Sequence, residues 1–418
     1  LTAASPRSPR FFLPALASLA FVSLGLPDGL LGTAWPSIRA SFDQPLDAQG
    51  ALLVAFTVGY VSASFSAGTL LARLSLGPLL AGSGLATALA LLGYAASPVW
   101  WGLVTLAVLL GAGGGAIDAG INTWASTTHG PRMLNWLHAC WGVGAALGPA
   151  LVVLALETGR SWRVSYAVVG LAQIALALGF ALTGRAWATR TAPDSTGAAG
   201  TAPNASGGAG TAPDAAGAAE AAPPARETLR LPGARRGALA YFLYTGVEVG
   251  FGVWAFTLFT EGRGLAPAAA GFWLSVYWGS LTVSRLLASV AAGRVSPVAL
   301  VRTCLAAAAV GSGLVWLDGA PAVGFAGLTL VGLACGPVFP SMMASTPGRV
   351  PPGHAPHTVG FQVAAAAVGA AVLPALLGVV ARRLGLEALG PQLLGLSVAT
   401  LIAHEALARV PSSGGARA

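Results

Sequence analysis

The stretch GGGAIDAGINTWAS, residues 113–126, sets Asp118 and Asn122 four positions apart inside apolar sequence. On a helix such a pair shares one face, where carboxylate and carboxamide together offer acceptors and donors to a solute rich in hydroxyls. The same pair can instead make an interhelical hydrogen bond. Two further acids, Asp28 and Glu248, lie in equally apolar surroundings. A charge at the centre of a membrane helix costs about 2.5–3.5 kcal/mol on insertion scales, so such residues turn toward a bundle interior or a wet cavity. An acid partly removed from water favours its neutral form, and one that is neutral in one state and ionised in another carries a proton. Asp28, Asp118 and Glu248 are therefore candidates for proton coupling, the competing use being a bond to a neighbouring helix.

Other polar and aromatic residues recur at helical spacing. Asn135, His138 and Trp141 follow one another by threes in NWLHACWGVGAALGP. His138 suits hydroxyl binding or proton exchange, and equally a bond to a backbone carbonyl. Tyr241, Tyr244 and Glu248 form a second stripe with Trp254 beyond it, and Trp273 and Tyr277 a third, with Trp278 adjacent. Sugars present C–H faces that stack on aromatic rings. The candidate substrate set is thus Asn122, Asn135, His138, Trp141, Tyr244, Trp254, Trp273, Tyr277 and Gln362, while Trp and Tyr also serve as interfacial belts. Arg285 sits about two turns inside the end of an apolar run, where it either snorkels or pairs with an acid to hold a gate. Arg73 and Arg294, in corresponding loops, complete the candidate gating set. Cys140, Cys304 and Cys335 stand at unrelated spacings that suggest neither a disulfide nor a metal site, and nothing calls for a cofactor.

These residues need long apolar helices to carry them. Of 418 residues 55% are hydrophobic and 9% charged, against roughly 25% charged in a soluble domain. Twelve apolar runs are each long enough to cross ~30 Å of hydrocarbon: 11–38, 48–72, 76–97, 99–126, 135–156, 163–184, 237–260, 266–291, 297–316, 320–345, 355–381 and 386–408. The first is read as a span and not a signal peptide, because its small triplet Ala15-Leu16-Ala17 lies inside the run, which continues to Ile38. All basic residues are arginine and the formal charge is +8. With the N-terminus inside, fifteen arginines fall on the cytoplasmic face and six on the other. That asymmetry places both termini in the cytoplasm of a multi-pass plasma (inner) membrane protein and argues against nucleic acid as a partner.

Residues 186–235 interrupt the pattern with three imperfect copies of a ten-residue Ala/Gly/Pro-rich unit, expected to be a disordered cytoplasmic linker on which the sequon at Asn204 has no meaning. It separates 1–185 from 236–418, six spans from six. The halves align with each other at nearly constant offset: Asp28 over Glu248 and Gly32 over Gly252, Gly144 over Gly369, Gly115 over Gly336. Asp118 and Asn122 fall over Phe339 and Met343, so the polar pair has no polar twin. An all-α membrane protein of twelve spans in two pseudo-symmetric six-helix bundles, with a site between them, is the expected architecture.

The segments GLPDGLLGTAWPSI, GGGAIDAGINTWAS, NWLHACWGVGAALGP and YTGVEVGFGVW together resemble the fucose permease branch of the major facilitator superfamily, the fucose–galactose–glucose:proton symporters and their relatives. The resemblance implies that Asp28 matches the first-span proton-coupling aspartate and Asp118 the fourth-span acid. It further implies that Asn122 matches the asparagine one turn on, and that Asn135 and His138 fall among substrate-site residues. Two departures touch the gate: GTLLARLSLGP has Ala72 where an aspartate is usual, and TVSRLLA has Ser284 where glycine commonly precedes the arginine. The expected function is a secondary transporter, not an enzyme, moving a small polar solute of the sugar type by proton-coupled alternating access, with sodium as the other coupling ion to test. It is expected to work as a monomer in the lipid bilayer. The alternatives are a proton-driven exporter of amphipathic drugs or metabolites and a membrane sensor without flux.

Overall fold

The computed structural model describes residues 12–187, 223–291, 293–317 and 319–411. The first half comprises α1 (Phe12–Ser41), α2 (Gln49–Arg73), α3 (Leu76–Ala96), α4 (Trp100–Thr128), α5 (Pro131–Glu157) and α6 (Arg163–Leu182). The second comprises a short α7 (Ala225–Arg230), then α8 (Pro232–Thr257), α9 (Pro267–Ala291), α10 (Pro297–Trp316), α11 (Pro321–Cys335), α12 (Val338–Ser345), α13 (Ala355–Leu384) and α14 (Leu389–Ala408). Among the described residues eleven helices are long and apolar enough to cross a membrane, α11 and α12 counting as one. Helix α9, with Arg285 and many small polar residues, is less apolar, but its 25 residues suffice in length and it packs between α5 and α11. It fills the twelfth place.

The tenth span, expected to be continuous over 320–345, is broken between Cys335 and Val338. Pro337 lacks the N–H that would bond the carbonyl one turn back, so the ladder stops there. The expected linker lies mostly outside the described residues, as does the sequon at Asn204. Helical structure nevertheless reaches into both its edges, which corrects the boundaries at 186 and 235. On one side Trp187 ends a 3₁₀ turn and is fully buried, its ring 4.9 Å from that of Trp124. On the other, α7 buries Thr228, whose hydroxyl bonds His354 Nδ1 at 2.8 Å, and α8 already begins at Pro232.

The two halves repeat in their packing as well as in sequence. In the first, α1 packs on α5, α2 on α4 and α3 on α6; in the second, α8 packs on α13, α9 on α11 and α10 on α14. Two close approaches recur at equivalent places. A Cβ on Gly144 would strike the carbonyl of Val22, and one on Gly369 that of Phe242; likewise Gly115 lies on the carbonyl of Tyr60 and Gly336 on that of Leu281. Small residues at such points let membrane helices approach backbone to backbone.

Across the halves α1 meets α8, α2 meets α13 and α5 meets α9. Among the described residues, the ion pairs that join the halves sit at one end, formed by the segments near residues 39–48, 258–266 and 382–388. Arg39 reaches Glu261 at 2.6 Å and Arg382 reaches Asp47 at 3.1 Å. Arg263 and Glu387 at the same end pair within the second half at 2.8 Å.

Candidate functional site at the centre of the two halves

Trp141 of α5 links groups from both halves. Its indole N–H donates to Asp28 Oδ2 on α1 at 3.1 Å, its ring stands edge-on to Trp278 of α9 with centroids 5.8 Å apart, and the Arg285 guanidinium lies 5.9 Å from its ring centre. Arg285 is also 3.9 Å from Glu248 of α8. One carboxylate from each half and Arg285 are thus arranged around a pair of indoles. The hydrogen bond from an N–H to a carboxylate contributes about 1.5–3 kcal/mol.

The broken tenth span supplies the floor of the second half's share. Interrupting a helix frees carbonyls that must find other donors inside a bilayer. Tyr244 O–H reaches the carbonyl of Cys335 at 2.8 Å and Arg285 Nε donates to that of Gly336 at 3.2 Å, so the break is satisfied by residues of α8 and α9. Tyr244 Oη is at the same time hydrogen-bonded to Glu248 Oε2. A tyrosyl hydroxyl has one proton and a carbonyl only accepts. Both bonds coexist when Glu248 is protonated and donates to Tyr244, which in turn donates to Cys335. Tyr277 O–H donates to the backbone carbonyl of Glu248 at 2.7 Å and fixes that turn of α8.

Asp118 and Asn122 form a separate cluster. Asn122 Nδ2 donates to Asp118 Oδ1 at 3.0 Å, and Tyr60 of α2 donates its hydroxyl to Oδ2 at 2.6 Å. Asp118 is thus bonded both within α4 and across to α2, the interhelical use that competes with solute binding, and Asn122 Oδ1 is left buried without a partner. Phe56 stacks on Tyr60 at 6.0 Å. Gly114, one turn before Asp118, faces Leu24, one turn before Asp28, so α4 meets α1 between the two acids.

The remaining expected residues divide. His138 lies edge-on to Phe21 at 5.7 Å with Nε2 buried and unpartnered, three residues before Trp141 on the same helix. Asn135 is exposed. Three of the candidates lie away from the indole pair. Trp254 is fully buried and donates its N–H to the Pro374 carbonyl at 2.8 Å, holding α8 to α13. Gln362 accepts from Thr346 at 2.9 Å, and Trp273 stacks on Phe325 at 5.1 Å. Their polar atoms or ring faces are taken up by packing between helices. Arg73 and Arg294 are exposed and make no ion pair among the described residues, whereas the cross-half pairs occupy the opposite end. Of the three gating candidates only Arg285 joins a cluster. Sequence reading passed over Tyr60, visible only as a lone tyrosine in the second span, and the pairs Arg39–Glu261 and Arg382–Asp47.

The family model of the Major Facilitator Superfamily matches residues 17–374. No curated protein matches the chain. Among solved structures, a bacterial homologue of the human lysosomal transporter Spinster, inward-facing and occupied, is 14% identical with a TM-score of 0.74, covering 96% of this chain and 97% of its own. The nucleoside transporter NupG, as a point variant, is 14% identical with a TM-score of 0.71, covering 95% and 99%. The E. coli fucose:proton symporter FucP, also a point variant, is 16% identical with a TM-score of 0.60, covering 94% and 98%. At these identities the likenesses show a shared fold.

Proposed function

The chain belongs to the major facilitator superfamily, and on that premise we propose that it is a secondary transporter carrying a small polar solute of the sugar class together with protons. The observation that carries this reading is the bridge made by Trp141, which bonds Asp28 of one half and faces Trp278 and Arg285 of the other. Indole faces suit the C–H surface of a sugar ring, and the few polar groups beside them fix its hydroxyls. Asn122 Oδ1 is a free acceptor for one such hydroxyl.

Asp28 is the proton-coupling acid in this reading, and Glu248 with Tyr244 a second proton site. Asp118 acts through Asn122 and Tyr60, since both its oxygens already accept hydrogen bonds. Transport proceeds by rocking one half against the other about the contact of α1 with α8. The end closed by Arg39–Glu261 and Arg382–Asp47 opens as those pairs part. The arginine asymmetry supports a plasma-membrane location with both termini in the cytoplasm, which makes the ion-paired end the outer one. No cofactor is needed for such a cycle.

The test is uptake of labelled fucose, galactose and glucose into proteoliposomes under an imposed pH gradient. Accumulation of at least one sugar, collapsed by a protonophore, is expected. Absence of gradient-dependent uptake of any sugar, together with extrusion of amphipathic dyes, would replace this reading by an exporter. Binding of a sugar without flux would replace it by a sensor.

A further inference from the structure

The segment ARETLRLPGARR, residues 225–236, carries four arginines against Glu227 alone and stands where the seventh span enters the bilayer. On α7, Arg226, Leu229 and Arg230 are spaced i, i+3, i+4. On α8, Pro232, Arg235, Arg236 and Leu239 are spaced i, i+3, i+4, i+7. Each set therefore shares one helical face. The two faces adjoin: Arg226, Leu229, Arg230 and Arg235 line one groove, and Arg235 also lines its neighbour with Pro232, Arg236 and Leu239. The opposite side of α7 is pinned, because Thr228 is fully buried and bonded to His354. Arg236 is held by the carbonyl of Ala406 at 2.8 Å. Arg226, Arg230 and Arg235 are exposed and make no ion pair among the described residues, and Leu229 and Leu239 are 48% and 51% exposed beside them.

We propose that this corner of the molecule binds the phosphate of an anionic glycerophospholipid through Arg226, Arg230 and Arg235, with its acyl chains along Leu229 and Leu239. A soluble anion accounts for the arginines but leaves the two leucines in water. A zwitterionic lipid accounts for the leucines but brings no net charge to three clustered cations. The position at the mouth of a span gives cations at headgroup depth and Leu239 one turn beyond Arg235 along α8, toward the hydrocarbon, which is the layering of a lipid molecule. Each arginine near an anionic surface contributes a similar share of attraction, so the site depends on charge and tolerates lysine.

The full-length protein, purified in a mild detergent, is offered phosphatidylglycerol or phosphatidylcholine at equal concentration, and bound lipids are counted by native mass spectrometry. At least one phosphatidylglycerol is expected to bind in preference to phosphatidylcholine. R226Q/R230Q/R235Q should weaken that preference about 10-fold or more, and R226K/R230K/R235K should keep it. Glycerol 1-phosphate, the headgroup without chains, should fail to displace the lipid at matched concentration. The proposal is overturned by equal binding of both lipids to the unaltered protein, by an undiminished preference in the glutamine variant, or by displacement with glycerol 1-phosphate. Should the glutamine variant fail to fold, the comparison of lipids on the unaltered protein and L229N/L239N, expected to weaken phosphatidylglycerol retention, decides the matter.

Discussion

Gly32 of α1 and Gly252 of α8 touch: a Cβ on Gly32 would fall on the carbonyl oxygen of Gly252. The two residues are also each other's equivalents in the repeat, 220 positions apart. Equivalent residues that contact one another lie on the axis relating the halves, which makes this contact the natural pivot for relative motion. A side chain here forces the helices apart. Gly32→Val is expected to cost about 1–3 kcal/mol, as overpacking of a tight interface does, and to lower the Tm of the purified protein. Gly82→Ala in α3, whose Cβ would meet nothing within 4 Å, serves as control and is expected to be neutral or slightly stabilising. Equal effects of both substitutions would show that the interface yields at Gly32.

Asp28 accepts the indole N–H of Trp141 across α1 and α5. If it is the proton-coupling acid, Asp28→Asn leaves an acceptor for Trp141 and removes only the titrating group. Accumulation driven by a pH gradient should then fall to the passive level, while exchange of labelled for unlabelled solute continues. Counterflow and gradient-driven uptake in the same proteoliposomes measure the two separately. Full concentrative transport by the variant would assign coupling to another acid.

Much of this architecture was legible in advance because membrane spans announce themselves by length and the repeat by small residues. The expected span at 297–316 coincides with α10, and the glycine alignments pointed to backbone approaches that recur in both halves. What was not legible depends on which helices become neighbours. Nothing in the sequence around Tyr60 reveals that its hydroxyl meets Asp118, 58 residues away. Trp254 stood in the same candidate substrate set as Trp141, yet one serves packing against Pro374 and the other faces the partner half. Helical spacing fixes a face; it does not fix what that face opposes. The break at Pro337 was visible as a proline, but its consequence, carbonyls taken up by Tyr244 and Arg285, required the packing of α8 and α9.

The Arg39–Glu261 pair is about 30% exposed on both sides and the Arg382–Asp47 pair 55% and 20%. Exposed pairs contribute only ~0–1 kcal/mol each, so E261Q/D47N should leave global stability almost unchanged. A state equilibrium poised within a few kcal/mol responds to the same increment, since about 1.4 kcal/mol alters a population ratio tenfold. Spin labels at Ala40 and Ala266, at the ends of α1 and at the start of α9, report the separation. The double variant is expected to gain a population at longer distance, with an unaltered Tm. An unchanged distance distribution would mean that packing, not charge, closes this end.

Glu248 and Tyr244 offer a test of where a proton resides. Tyr244 Oη lies within hydrogen-bond reach of both Glu248 Oε2 and the freed carbonyl of Cys335, and with its one proton given to the carbonyl the bond to Glu248 requires a proton on the acid. Glu248→Gln replaces the acid by an amide that still donates, so the chain of bonds survives and stability should change by less than about 1 kcal/mol. Glu248→Leu removes the donor and leaves Arg285 without its acidic neighbour at 3.9 Å. Tyr244→Phe strands both Glu248 and the Cys335 carbonyl. Each of these is expected to cost about 1–3 kcal/mol, the penalty for orphaned buried polar groups. Thermal unfolding of the three variants at one pH distinguishes the cases. Were Glu248 held chiefly as the anion partner of Arg285, Glu248→Gln would instead destabilise as much as Glu248→Leu, because the amide cannot neutralise the guanidinium.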